Sequence, residues 1–391
     1  MNRTHEHLPF LDGVRGIAIL AVFLYHALGT SFGFDRLPWD GHFRDFDTVP
    51  SFLWLYPLTY GFTGVAVFFV VSGFCIHLSY QRSSNQSWSF FVHRRFFRIY
   101  PPYLLAVGLF IVFEPWNKLQ LSTFNGAAQL ASHLFVLHNL DPRTIYGINP
   151  SFWSIAVEVQ LYVIYPLLLL LSSRLGWKRS LAIVGLIEFS IRSYTAVQTT
   201  FFNITPHRIV TESPFAYWLS WSLGAYLAEC FSTGRSSRIF SVRFEFVAIA
   251  CLLMPLFKWT DPFTFLSFSW LTAIAISRIL SGDWSPPKAD SALAGKIWAH
   301  LSFLGVISYS FYLLHQPLTR FFGGLSSIFQ PSAANGSLVK FAVCVIGYPA
   351  LLIVSFLSYK FIEKPSIALG KAVWQRFQNA PPHRIHPRST G

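Results

Sequence analysis

Apolar residues along this chain gather into about ten stretches, near 10–31, 52–78, 102–113, 151–172, 181–194, 213–231, 244–258, 263–280, 297–322 and 338–362. A helix needs about 20 mostly apolar residues to cross a bilayer, and most of these runs reach that length. The third and fifth are short, so the pattern fixes their ends least. The segments between them are brief, with no Ser/Gly linker and no repeat. The pattern predicts an all-α polytopic membrane protein of about ten transmembrane helices. It forms one membrane-embedded domain over 1–370, and a basic cytoplasmic tail over 371–391 is expected to be disordered.

Composition sharpens this. Of 391 residues, 53% are hydrophobic and only 12% charged, against about 25% charged in soluble domains; mean hydropathy is +0.44. One or two soluble cores cannot hide runs of that length. Disorder, a collagen-like chain and a nucleic-acid-binding module are excluded with it. The net charge of +13 reads as loop charge on the cytoplasmic side rather than as a nucleic-acid footprint. Cys75, Cys230, Cys251 and Cys344 are scattered through apolar runs without ligand spacing, so neither a disulfide nor a metal is expected. Asp12 and Arg15 interrupt the first run, which has no small-residue cleavage site and is not a cleavable signal.

Loop charge sets the orientation. The first loop, with Asp35, Arg36, Asp40, Arg44, Asp45 and Asp47, is acidic on balance. The second carries Arg82, Arg94, Arg95 and Arg98 with no acid, and the third balances Glu114 and Asp141 against Lys118 and Arg143. Arg174, Lys178 and Arg179 follow, then Arg235, Arg238 and Arg243, and the tail carries Lys371, Arg376, Arg384 and Arg388. Basic loops alternate with neutral or acidic ones, which places both termini in the cytoplasm and requires an even number of spans.

Ionisable residues at membrane depth are costly and mark function. Arg15 and His26 stand eleven positions apart in the first run, three helical turns plus about 20° and about 16 Å of rise, so both project from one face. Arg15 falls toward the cytoplasm and His26 in the outer half. Their bland readings are a snorkelling arginine and a histidine bonded to a neighbouring helix. Glu158 lies two turns into the fourth run, at a depth close to that of His26, where a carboxylate would orient the imidazole and raise its basicity; the plain alternative pairs it with Arg192. His315, in the outer third of the ninth run, is a second catalytic candidate, an acceptor ligand or an interfacial histidine. Ser72, followed by Gly73, reads first as a close-packing site and second as a hydroxyl for substrate. Trp153 is a candidate platform for a sugar ring.

The stretch His93-Arg94-Arg95-Phe96-Phe97-Arg98 is basic and aromatic. On a helix Arg94, Arg95 and Arg98 cluster, and guanidinium forks match phosphate oxygens; a merely topogenic loop would also be basic. No nucleophile elbow, H-E-x-x-H or P-loop is present. His42 and Asp47 match an acyltransferase H-x4-D spacing, but in an outer loop without acyl-CoA, and are read as chance.

Taken together, LDGVRGIAILAVFLYH, GFTGVAVFFVVSGF, RRFFRIYPPYLL, NPSFWSIAVEVQLYVIYP, ISYSFYLLHQPL and YKFIEKP, in order from Leu11 to Pro365, resemble acyltransferase family 3, the bacterial polytopic O-acyltransferases. The resemblance implies acyl-CoA, with acetyl the common case, as co-substrate donor and a hydroxyl on a glycan, glycolipid or macrolide as acceptor, with no other cofactor. It implies essential roles for Arg15 and His26, an Arg-x-x-Arg pair at Arg95 and Arg98, and a role for Glu158. Many relatives carry a further extracytoplasmic domain, and this chain reads as the stand-alone form. The expected mechanism seats CoA phosphates on Arg94, Arg95 and Arg98, has Arg15 line the route or bind a CoA phosphate, and makes His26 the base held by Glu158. Direct transfer is preferred, since no hydroxyl or thiol neighbours His26 at helical spacing. The rival reading is a proton-coupled transporter built on the same buried His, Glu and Arg.

Overall fold

The computed structural model describes residues 8–34, 37, 50–113, 119, 122–285, 292–329 and 335–379. Asp35, Arg36, Asp40, His42, Arg44, Asp45 and Asp47 of the first loop, Glu114 and Lys118 of the third, and Arg384 and Arg388 of the tail lie outside them. Every regular element among the described residues is helical. The helices are α1 (Phe10–Phe32), α2 (Gly64–Gln81), α3 (Trp88–Phe113), α4 (Phe124–Leu134), α5 (Phe152–Leu175), α6 (Trp177–Phe201), α7 (Arg208–Thr211) and α8 (Trp218–Thr233). They continue as α9 (Phe244–Leu253), α10 (Thr264–Ser281), α11 (Ala292–Val306), α12 (Ser308–Leu325), α13 (Gly336–Ile346), α14 (Tyr348–Ser358) and α15 (Lys364–Asn379).

Each of the ten expected stretches is helical, but not each is a long straight span. Seven described segments are long and apolar enough to cross a membrane, and α11 with α12 makes an eighth only as a pair bent by 86°. The bend falls at Ile307, whose backbone (φ −94°, ψ 8°) leaves helical geometry. Of the other expected spans, α8 has 16 residues and the apolar helix at Phe244–Leu256 is shorter still.

The third stretch needs the largest boundary correction. α3 begins at Trp88, runs through Pro101 and Pro102, and so carries the arginines on a helix rather than in a loop. Proline offers no N–H to the carbonyl four residues earlier. At Phe97 that orphaned carbonyl accepts from the Ser366 hydroxyl of α15 instead. Tyr309 donates to the carbonyl of Ile99 at 2.8 Å, and His93 to that of Gly370 at 2.7 Å. The continuous helix is thus held from outside where its own ladder fails. α15 runs on to Asn379, and its Trp374 packs on Phe90 and His93 of α3.

Glycines let the central helices touch. A Cβ on Gly73 of α2 would stand 2.1 Å from the Trp221 carbonyl oxygen of α8, and one on Gly224 of α8 would stand 1.9 Å from that of Val70 of α2. α1 and α11 meet the same way at Gly16 and Gly305. Backbone-to-backbone approach of this kind is how helices associate where lipid removes the hydrophobic drive. A second lock is the buried pair of Arg192 with Glu188 at 2.7 Å, whose carboxylate also accepts from the Ser220 hydroxyl at 2.7 Å. Arg192 is therefore not the partner of Glu158.

Candidate active site

A cavity opens between α1, α2, α3, α5 and α12. Arg15, Arg95 and Arg98 line it, with Ser72, Glu158 and Tyr162. Helical periodicity does the gathering: Ser151, Ser154, Glu158 and Tyr162 recur at spacings of three and four, so α5 presents one polar stripe. Arg95 and Arg98 share a face of α3 in the same way.

The three arginines are held unequally. Arg15 pairs with Asp12 at 3.0 Å and donates to Cys75 Sγ at 3.1 Å. Arg95 reaches only Ser79, at 3.5 Å, and its Nε is buried without a partner. Arg98 has no hydrogen bond among the described residues and faces the charges of Glu363 and Glu158. Two guanidinium groups with unused donors point into one cavity, as an anion site requires.

Glu158 does not touch His26, contrary to expectation. Its carboxylate accepts from Ser72 at 2.7 Å and from the Tyr162 hydroxyl, while Trp221 Nε1 donates to Ser72 Oγ at 3.3 Å. The direction around the helix axis differs from the expected one, and Glu158 faces Ser72 of α2.

His26 pairs with His315 instead. His315 Nε2 lies 3.2 Å from His26 Nδ1, with the rings 4.8 Å apart and inclined at 68°. His315 Nδ1 faces the Tyr312 carbonyl at 2.7 Å, and His26 Nδ1 faces that of Val22 at 2.9 Å. A carbonyl only accepts, so the network assigns a proton to Nδ1 of both rings. Nε2 of His315 then accepts from Nδ1–H of His26. Nε2 of His26 keeps its lone pair and has no hydrogen-bond partner among the described residues. His315 is fully buried while His26 is only half-buried, so the bare nitrogen belongs to the reachable ring.

The histidine pair and the cavity share a wall. Tyr312 and Ser154 line the cavity and bond to each other at 2.6 Å, and the Tyr312 ring lies 5.2 Å from that of His315. Behind them, Ser151 Oγ donates to Gln316 and lies 3.4 Å from His315 Nε2. Ser151, Ser154, Tyr162, Tyr312 and Gln316 were not singled out from the sequence, although the α5 stripe announces three of them. Two expected binding residues lie elsewhere. Arg94 stands over the Phe90 ring at 5.4 Å, and Trp153 packs on Tyr217 at 5.7 Å.

The family model described as an acyltransferase domain matches residues 8–360. The chain belongs to acyltransferase family 3. It is accordingly an integral, multi-pass membrane protein. It is 25% identical over 390 residues to the peptidoglycan O-acetyltransferase OatA of Listeria monocytogenes, covering 93% of this chain and 56% of that protein. It is 25% identical over 392 residues to the O-acetyltransferase OatA of Staphylococcus aureus, covering 92% and 57%. The chain thus spans a little over half the length of these curated relatives. No solved structure matches it. Within the family match, the cavity and the histidine pair are the groups suited to binding an anionic donor and to moving a proton.

Proposed function

We propose that this chain is a membrane O-acyltransferase that moves an acetyl group from acetyl-CoA to a hydroxyl of a cell-wall glycan. The observation that carries the reading is the shared wall: an arginine-lined cavity on one side of Ser154 and Tyr312, and a histidine with one bare nitrogen on the other. The glycan acceptor follows from the similarity to the peptidoglycan O-acetyltransferase OatA of Listeria monocytogenes.

CoA brings phosphates to Arg95 and Arg98 from the cytoplasmic side, with Arg15 further along the cavity. The pantetheine arm carries the thioester to the Ser154–Tyr312 wall. His26 Nε2 takes the proton of the acceptor hydroxyl as its oxygen attacks the thioester carbon. The C–S bond then breaks, and the CoA thiolate leaves with the proton that His26 holds. During the step the imidazolium keeps two acceptors at Nδ1–H, the Val22 carbonyl and His315 Nε2. His315 thereby orients the base, the role expected of Glu158, which belongs to the donor cavity instead. General-base help of this kind contributes about 10²–10⁴-fold.

The test is detergent-purified protein given radiolabelled acetyl-CoA and purified peptidoglycan. Label in ester linkage to the glycan is the expected result. Label that stays with CoA, from protein whose CoA binding is intact, would refute the reading.

A further inference from the structure

α12 carries Pro317 in its interior, which deprives the Leu313 carbonyl of its helical donor. That carbonyl is buried, so it needs a partner from elsewhere. Asn149 Nδ2 supplies it at 3.0 Å, from a side chain with no exposed surface. The other end of the same amide, Oδ1, accepts the backbone N–H of Ser151 at 3.0 Å, and the Asn149 carbonyl accepts that of Phe152 at 3.0 Å. One side chain therefore holds the turn that leads into α5 and closes the open turn of α12.

His315 lies inside that turn, between Leu313 and Pro317. Its Nδ1–H is aimed at the carbonyl of Tyr312, the residue before the orphaned one. Ser151, whose N–H Asn149 holds, contacts His315 and Gln316. Both the carbonyl that fixes the His315 tautomer and the hydroxyl beside its Nε2 thus depend on this amide.

We infer that Asn149 is a positioning residue for the His26–His315 pair, acting through the Leu313 carbonyl that Pro317 leaves open. It touches no substrate. It keeps His315 Nε2 where it accepts from His26, and so keeps the lone pair of His26 at Nε2. The inference rests on the proposed role of His26 as base.

The test is a cycle that returns the missing donor. Asn149→Ala, Pro317→Ala and the double variant are compared with the unmodified chain in the acetyl-CoA and peptidoglycan assay. Misplacing a catalytic group by about 1 Å costs on the order of 10²-fold, so Asn149→Ala should lower kcat by about 10–100-fold with the KM for acetyl-CoA within about twofold. Pro317→Ala gives Leu313 a helical N–H, and the double variant should therefore recover most of the lost kcat. Its pH–rate profile should return with it. Asn149→Asp, which keeps the oxygen that accepts the Ser151 N–H but loses the donor, should match Asn149→Ala and serves if that variant fails to insert. A double variant as slow as Asn149→Ala would overturn the inference, as would an Asn149→Ala enzyme with unchanged kcat. A wrong assignment of the base is a separate outcome, seen as His26→Ala retaining turnover.

Discussion

The two sides of the Ser154–Tyr312 wall solve opposite problems. In the arginine-lined cavity Arg95 and Arg98 are left short of partners among the described residues, and the nearby carboxylate of Glu158 is satisfied by hydroxyls rather than by an arginine. At the histidine pair each Nδ1 is fixed on a backbone carbonyl. An anion site works by withholding hydrogen bonds until the ligand arrives. A proton-transfer site works by fixing every proton but one. Backbone carbonyls suit the second task, because they do not titrate and the helix sets their direction.

The largest test of this division is His26→Ala. Turnover should fall by about 10²–10⁴-fold while CoA affinity, read by calorimetry on the purified protein, stays near normal. In the unmodified chain kcat should fall only at the acid end of the profile, where His26 takes up a proton, because only neutral His26 offers the lone pair. Next comes Arg95→Gln with Arg98→Gln. Loss of two charge-assisted bonds, at the lower end of their range of about 1.5 kcal/mol each, should raise the KM for acetyl-CoA on the order of 100-fold and leave the acceptor KM unchanged. Loss of acceptor affinity instead would break the comparison. Glu158→Gln should change donor KM by only a few-fold and leave the pH–rate profile in place, since Glu158 does not contact His26. A shifted profile would return it to the base.

The smallest expected effect concerns a different histidine pair. His133 and His138 are fully buried, with rings stacked 4.0 Å apart. Burial lowers His133 from 6.5 to about 4, and lowers His138 well below its ordinary value, with the charge of His133 adding to the effect. The folded state then binds fewer protons than the unfolded state between pH 6.5 and about 4, so stability is lost as pH falls through that window. Thermal unfolding should move down by roughly several degrees across it, and His133→Phe should flatten the dependence. A pH-independent midpoint in the unmodified chain would show that the pair is not held neutral.

The sequence disclosed what a single helix can disclose. Arg15 and His26 sit on one face of α1 because 3.6-residue geometry requires it, and the Arg95–Arg98 cluster follows from the same rule. Each long apolar run also became helix. What stayed hidden depends on how helices face one another. His26 and His315 meet across 289 positions of chain, and no periodicity relates them. Glu158 turns toward α2 rather than His26, because hydropathy ranks distance along a span and says nothing of rotation. The prolines of α3 misled for a related reason: the donor that compensates Pro101 is Ser366, more than 260 residues away, and local rules cannot see it.

The glycine seam between α2 and α8 carries a mechanical consequence. Each glycine takes the carbonyl of the facing helix into the space of a missing side chain. Sliding one helix past the other by a turn would bring Phe69 or His77 to the place of Gly73, and Ser220 or Ala228 to that of Gly224. None of these fits so close an approach. The seam therefore has a single register, like a keyed shaft, and a carrier that must alternate between two registers gains nothing from it. α2, one wall of the cavity, is thereby held in one place against α8, so the position of that wall is set by the seam.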